Sequence, residues 1–159
     1  MSARKDLGGA KRTLLSAREK ELWHAFKKMG DTAFALVAGE IEAGSGLSGA
    51  DFGVLSRLED LGKGTLAQSE LAASLGWHRS RLSHQLTRME DRNLLRRKGA
   101  ASGRGIVVEI LPKGGKAIAA ARPIHAAAVR KHVLRHIGAG EARAILKVAA
   151  RIASRGQVR

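Results

Sequence analysis

Apolar residues recur along this chain mostly at helical spacing. From about Ser16 to Ala43, Leu15, Leu22, Phe26, Met29 and Ala33 form one stripe, and Phe34, Val37 and Ile41 continue it. Gly30 weakens the middle, and the Gly-Ser-Gly at 44–46 ends the helix. Ser48 followed by Asp51 reads as a capping box, in which a hydroxyl and a carboxylate meet free backbone N–H groups. Phe52, Leu55, Leu58 and Leu61 are expected to form one apolar face of the next helix, and Gly-Lys-Gly at 62–64 breaks it. Thr65 and Leu66 suit a very short strand.

A short helix carrying Leu71 and Leu75 then ends at Gly76, and another runs from about Arg79 to Arg92, with Asn93 as its stop. LLRRK and GIVVEIL read as two strands around a small-residue turn, GAASGR, giving a β-hairpin over 94–111. Helix returns beyond Pro112, and Pro123 either kinks it or starts a new one, the segment Ile124 to Ile137. GAGE at 138–141 is a turn. Ile145, Val148, Ala149 and Ile152 then mark a last amphipathic helix. The predicted order is four helices, a hairpin, then two or three helices.

Two short helices joined by a tight turn and followed by a hairpin make a winged helix-turn-helix. Ala72, four residues before Gly76, allows close helix crossing, and Gly76 supplies a turn conformation that a β-carbon resists. Leu82, Leu86 and Met89 hold the second helix onto the core. Its outward side is then expected to carry Arg79, Ser80, Arg81, His84, Gln85 and Arg88. Arg can bond bidentately to guanine, Gln to adenine and Ser to either, so these are candidate major-groove readers. The alternative is a solvated cationic face. In the hairpin, Arg96, Arg97 and Lys98 lie on the first strand and Arg104 near the tip, candidates for the flanking backbone and minor groove. An ordinary charged turn is the competing reading.

Composition narrows the partner. In 159 residues, Lys plus Arg number 29 against 14 acids, a net charge of +15, and such a field favours a polyanion. The polyanion can be DNA, RNA or an anionic membrane; aromatics are 3% with no Tyr, which disfavours the stacking platforms of RNA and single-strand binders, so double-stranded DNA gains ground. Cysteine is absent, so disulfides, thiol switching and Cys-ligated zinc are excluded. No run of 18 apolar residues suits a membrane span, and MSARKDLGGAKR lacks the apolar core of a secretory signal, so a cytoplasmic setting is expected. No catalytic motif is present: there is no GxSxG, P-loop or HExxH, and no cofactor is expected. His125, His132 and His136 are spaced to share a helix face, but Arg122, Lys131 and Arg135 surround them, which argues against a metal.

With these residues in view, the chain resembles the MarR family of bacterial transcriptional regulators over about residues 20–152. The resemblance is carried by GLSGADFGVLSRL, by LAQSELAASLGWHRSRLSHQLTRMEDRNLLRR and by SGRGIVVEILPKGGKAI. The middle stretch is similar to a subgroup with an LGWxRSRLSHQ recognition-helix pattern. It implies a homodimer with interlocking N- and C-terminal helices, a palindromic operator, and repression relieved by a small ligand. The family's wing usually reads Asp-x-Arg-Gly. Here it is Ser102-Gly103-Arg104-Gly105, which keeps the Arg and lacks the Asp that helps orient it. His78 stands where the subgroup often has a better N-cap residue.

The expected fold class is mainly α with a small β-hairpin wing (α+β). The segments are a flexible basic arm at 1–13, an N-terminal dimerisation helix at 14–44, a winged helix-turn-helix at 47–111, and C-terminal dimerisation helices at 112–155. The terminal helices are too apolar on one side to stand free, and mutual burial across a two-fold axis is one outlet; folding back onto the winged domain is the other. A small-molecule effector is expected where the dimer helices meet the winged domain, with Trp23, Phe26, Phe34 and Trp77 as ligand-binding candidates. The leading function is a DNA-binding regulator; the alternative is a nonspecific nucleic-acid or chromosome-binding basic protein.

Overall fold

The computed structural model describes residues 14–101 and 103–156, and the side chains among them up to Ser154. The expected basic arm at 1–13 and the substituted wing position Ser102 lie outside the described residues. Mostly helical, the chain runs α1 (Ala17–Ser45), α2 (Gly49–Gly62), β1 (Thr65–Ala67), α3 (Gln68–Leu75), α4 (Arg79–Asp91), β2 (Leu95–Gly99), β3 (Ile106–Ile110), α5 (Pro112–His132), a single 3-10 turn (Leu134–His136) and α6 (Ala139–Gly156). It divides into two units after Phe34, inside α1.

The first unit holds the beginning of α1. Ser16 and Glu19 cap it reciprocally: the Ser16 N–H donates to Glu19 Oε2 at 2.7 Å and the Glu19 N–H donates to Ser16 Oγ at 3.3 Å. The Ser16 hydroxyl, which donates to Glu19 Oε2 at 2.6 Å, and after it the Ser16 N–H hold the Glu19 carboxyl below its ordinary value. Leu22, Trp23, Phe26 and Met29 are all exposed, with Trp23 stacked on Phe26 at 6.3 Å between ring centroids.

The second unit is built around one core. Its centre is Val54, Leu55 and Leu58 of α2, Leu71 of α3, Leu82, Leu86 and Met89 of α4, Leu95 and Val108 of the sheet, and Ile118 and Ala121 of α5. The Ser48–Asp51 capping box is present. Leu61 departs from the expected apolar face and is exposed. The reason is geometric: a strict three-residue step falls short of a 3.6-residue turn, so nine residues after Phe52 the side chain points the opposite way, and Val54 fills the core instead.

The sheet has three strands, in order β1-β3-β2. Thr65 and Ala67 bracket the β1 register opposite Glu109 and Val107, and β2 pairs Leu95 with Ile110 through Gly99 with Ile106. The β-branched β3 takes the central place, where packing on both edges rewards such side chains. Gly114 lets α5 start directly beneath the hairpin, because a β-carbon there would lie 2.0 Å from the Leu94 carbonyl oxygen. α5 then runs unbroken through Pro123 to His132.

The three histidines do not share a helix face. His125 stacks on Phe52 at 4.7 Å, His132 Nε2 meets Glu40 Oε1 at 2.8 Å, and His136 lies in the 3-10 turn beyond the end of α5. In α6 the predicted apolar stripe is present but Ile145, Val148 and Ile152 are exposed.

Candidate nucleic-acid interface

α3 and α4 are joined by a turn at Gly76, whose φ is +64°; its amide and that of Trp77 close the end of α3 on the carbonyls of Ala73 and Ala72. α4 starts after His78, which makes no side-chain cap. On one side of α4, Leu82, Leu86 and Met89 have no solvent exposure. On the other, Arg79, Ser80, Arg81, His84 and Arg88 are all exposed, as expected.

Gln85 corrects the expected set. It is only 3% exposed, and its Nε2 donates to Asp51 Oδ1 at 2.7 Å. It lies three residues after Leu82 and four before Met89, so it borders the buried stripe, and the α2 carboxylate gives its amide a partner inside. Its amide is taken up inside the protein, between Asp51 and Arg88. Its carbonyl oxygen accepts from Arg88.

Arg81 has a support of its own. Its guanidinium lies 4.2 Å from the centroid of the half-buried Trp77 ring, a cation–π contact worth about 0.5–1 kcal/mol at an exposed position. Trp77 also packs against the core. Sequence reasoning put Trp77 among the effector residues and did not see this role. The signal was the i, i+4 spacing of Trp77 and Arg81.

The wing divides its cations by strand alternation. Arg96 and Lys98 point to one face, where both meet Glu109, at 2.7 and 3.2 Å. These two partners, Arg96 more than Lys98, hold the Glu109 carboxyl below its ordinary value. Arg97 points to the other face and does not extend toward the tip. Its Nε donates to Glu90 Oε2 at 2.8 Å, its backbone N–H to Glu90 Oε1 at 2.6 Å, and its Nη2 to Thr87. Its guanidinium is committed to fixing the wing onto α4, because the neighbouring acid on α4 competes for it. Arg104 is exposed, between Gly103 and Gly105 with φ of +73° and +91°. Between α3, the start of α4 and the wing runs a groove of about 340 Å³ with Arg79 and Arg104 among its lining. Two guanidinium groups on one groove, beside a row of exposed donors on α4, can bind phosphate oxygens and base edges together.

Residues 45–105 match the MarR family model. The fold is MarR-like over nearly the whole chain. AbsC, a MarR family transcriptional regulator from Streptomyces coelicolor, is 28% identical and superposes with a TM-score of 0.81, covering 91% of this chain and 99% of its own. Sco3205, another from the same organism and solved in complex with DNA, is 23% identical with a TM-score of 0.82, covering 91% and 94%. A mutant MarR from E. coli, complexed with operator DNA, is 14% identical with a TM-score of 0.74, covering 83% and 93%. No curated protein is significantly similar to the chain. The MarR-like match spans the capped α2, the helix-turn-helix and most of the wing, the parts that position the exposed cations. No described helix is long and apolar enough to cross a membrane.

Proposed function

We infer that the chain is a sequence-specific double-stranded DNA-binding transcriptional regulator, a repressor that binds a palindromic operator as a homodimer in the cytoplasm. The observation that carries this reading is the α4 face: Arg79, Ser80, Arg81, His84 and Arg88 stand exposed on a helix whose opposite side is locked in the core. A helix of this width enters the major groove, and Arg104 on the Gly-flanked wing reaches for the adjoining minor groove. The net charge of +15 supplies the long-range attraction. The MarR family match and the likeness to AbsC support the regulatory role.

Homodimerisation answers the exposed apolar surfaces of the α1 start and of α6, each of which a second copy would bury. The two reading helices would then face successive major grooves roughly 34 Å apart. A small-molecule effector releases the operator in this reading, with Trp23, Phe26 and Phe34 as the exposed aromatic candidates. Trp77 drops to a lesser candidate because Arg81 covers one face of its ring.

Selection of bound fragments from genomic DNA, followed by titration at two salt concentrations, tests the reading. A regulator holds its palindrome about 10³-fold or more above random duplex at physiological salt. Equal binding to all duplexes with one steep salt slope would instead favour the nonspecific coating protein that the high charge also permits.

A further inference from the structure

Among the described residues two polar side chains are buried, Asp51 and Gln85, and they are bonded to each other. A carboxylate can only accept hydrogen bonds. Asp51 Oδ2 accepts the Ser48 backbone N–H at 2.9 Å, and Oδ1 accepts both Gln85 Nε2, at 2.7 Å, and the Arg92 guanidinium. The Gln85 amide therefore has no freedom to rotate end for end. Its NH2 must face Asp51, and its carbonyl oxygen must face outward, where Arg88 Nη2 donates to it. Arg92 also donates to the Arg88 carbonyl at 3.3 Å. Arg88 itself is exposed, and among the described residues Nη2 is its one side-chain donor with a hydrogen-bond partner.

We propose that Asp51 and Gln85 form a buried polarity relay that positions the Arg88 guanidinium for base reading, so that an α2 cap residue sets specificity in α4 without touching DNA. The proposal rests on the DNA-binding reading above. Bidentate contact between an arginine and a guanine edge depends on the orientation of the planar fork. A guanidinium fixed before binding loses less conformational freedom when it docks. Gln85 is a positioning residue here, and its donor-to-acceptor polarity is imposed from Asp51.

The polarity can be inverted without changing size. In an Arg92→Ala background, which removes the second donor to Oδ1 and is the parent for every comparison below, the amide introduced by Asp51→Asn keeps its oxygen on the Ser48 N–H and turns its NH2 toward Gln85. Gln85 must then flip and present its own NH2 to Arg88, donor against donor. Gln85→Glu alone sets a second carboxylate against Asp51. The double variant Asp51→Asn, Gln85→Glu restores the order, with the new amide donating inward and the new carboxylate accepting from Arg88. Base preference of the full-length chain is read by selection from a randomised duplex library, with thermal unfolding as the control for folding.

Each single variant should lose preference at one base pair per half-site by about tenfold or more, while affinity for random duplex holds. The double variant should regain that preference, and Arg88→Ala should abolish the same base-pair preference with no further loss from Asp51→Asn. A folded Asp51→Asn variant with the parent's preference overturns the relay, and so does a double variant that fails to regain it. Should Asp51→Asn unfold the chain, Gln85→Met removes the acceptor while filling its volume, and unchanged preference there overturns the relay equally. A parent protein that enriches no site overturns the functional reading, and the relay falls with it.

Discussion

α4 and α6 carry the same kind of apolar stripe and meet opposite fates. In α4, Leu82, Leu86 and Met89 have no exposed surface, because α2, α3 and the wing close over them. In α6, Ile145, Val148 and Ile152 repeat at comparable spacing and remain 42%, 42% and 59% exposed. Periodicity fixes which side of a helix is apolar; it does not say what covers that side. A covered stripe anchors a rigid probe, whereas an open one on a chain this highly charged calls for a partner. The proposed two-fold pairing is the simplest partner, since it needs only a second copy.

The largest expected effect lies in the covered stripe. Leu86→Ala should destabilise the fold by about 2–5 kcal/mol, the range for truncating a buried leucine, seen as a lower urea midpoint. Val148→Lys on the open stripe should leave secondary structure intact and shift the sedimenting species from dimer to monomer, with the loss of two-site operator binding. If Val148→Lys sediments as the parent does, α6 faces water in the functional protein, and the contrast between the helices is one of solvation rather than partnership.

A smaller pair of effects separates reading from gripping. Arg81→Ala should weaken operator binding by about 1–3 kcal/mol and relax preference at one position of each half-site. Arg104→Ala should weaken most duplexes alike and lower the salt dependence by about one counterion. Quantitative binding to operator and random DNA across a salt series distinguishes them. Equal small losses from both would remove the division of labour between α4 and the wing.

Local signals in the sequence were enough for much of this. The Ser48–Asp51 cap, the Gly76 turn and the Leu82, Leu86, Met89 anchor each depend on residues within a turn or two of one another, and all three are present. What depends on distant partners was misjudged or missed. Gln85 was assigned outward because it is polar; its true partner, Asp51, is 34 positions away in the sequence. Arg97 was assigned to the wing's reach, and Glu90 on the preceding helix captures it. Strand β1 was visible only as a short extended piece, and its partner β3 lies some forty positions further along the chain. The wing's expected Asp substitution falls on Ser102, outside the described residues.

The Arg97–Glu90 contact gives the smallest effect and shows how the wing is fixed to α4. The hydrogen bond from Arg97 lowers the Glu90 carboxyl below its ordinary 4.5, against the opposing pull of partial burial. A carboxyl with a lowered folded-state pKa contributes stability above its unfolded value and loses it as pH falls through the folded value. The contribution should therefore be complete near neutrality and fade only below about pH 4.5. Glu90→Gln removes the titration, so the stability gap between parent and variant should narrow on acidification between pH 6 and 3. Because both side chains are about a quarter exposed, solvent screening keeps the gap at neutral pH within about 1 kcal/mol. Urea midpoints for the two proteins at each pH measure it. The absence of a gap at every pH would mean the wing is held by Thr87 and the strand backbone, with Glu90 a bystander.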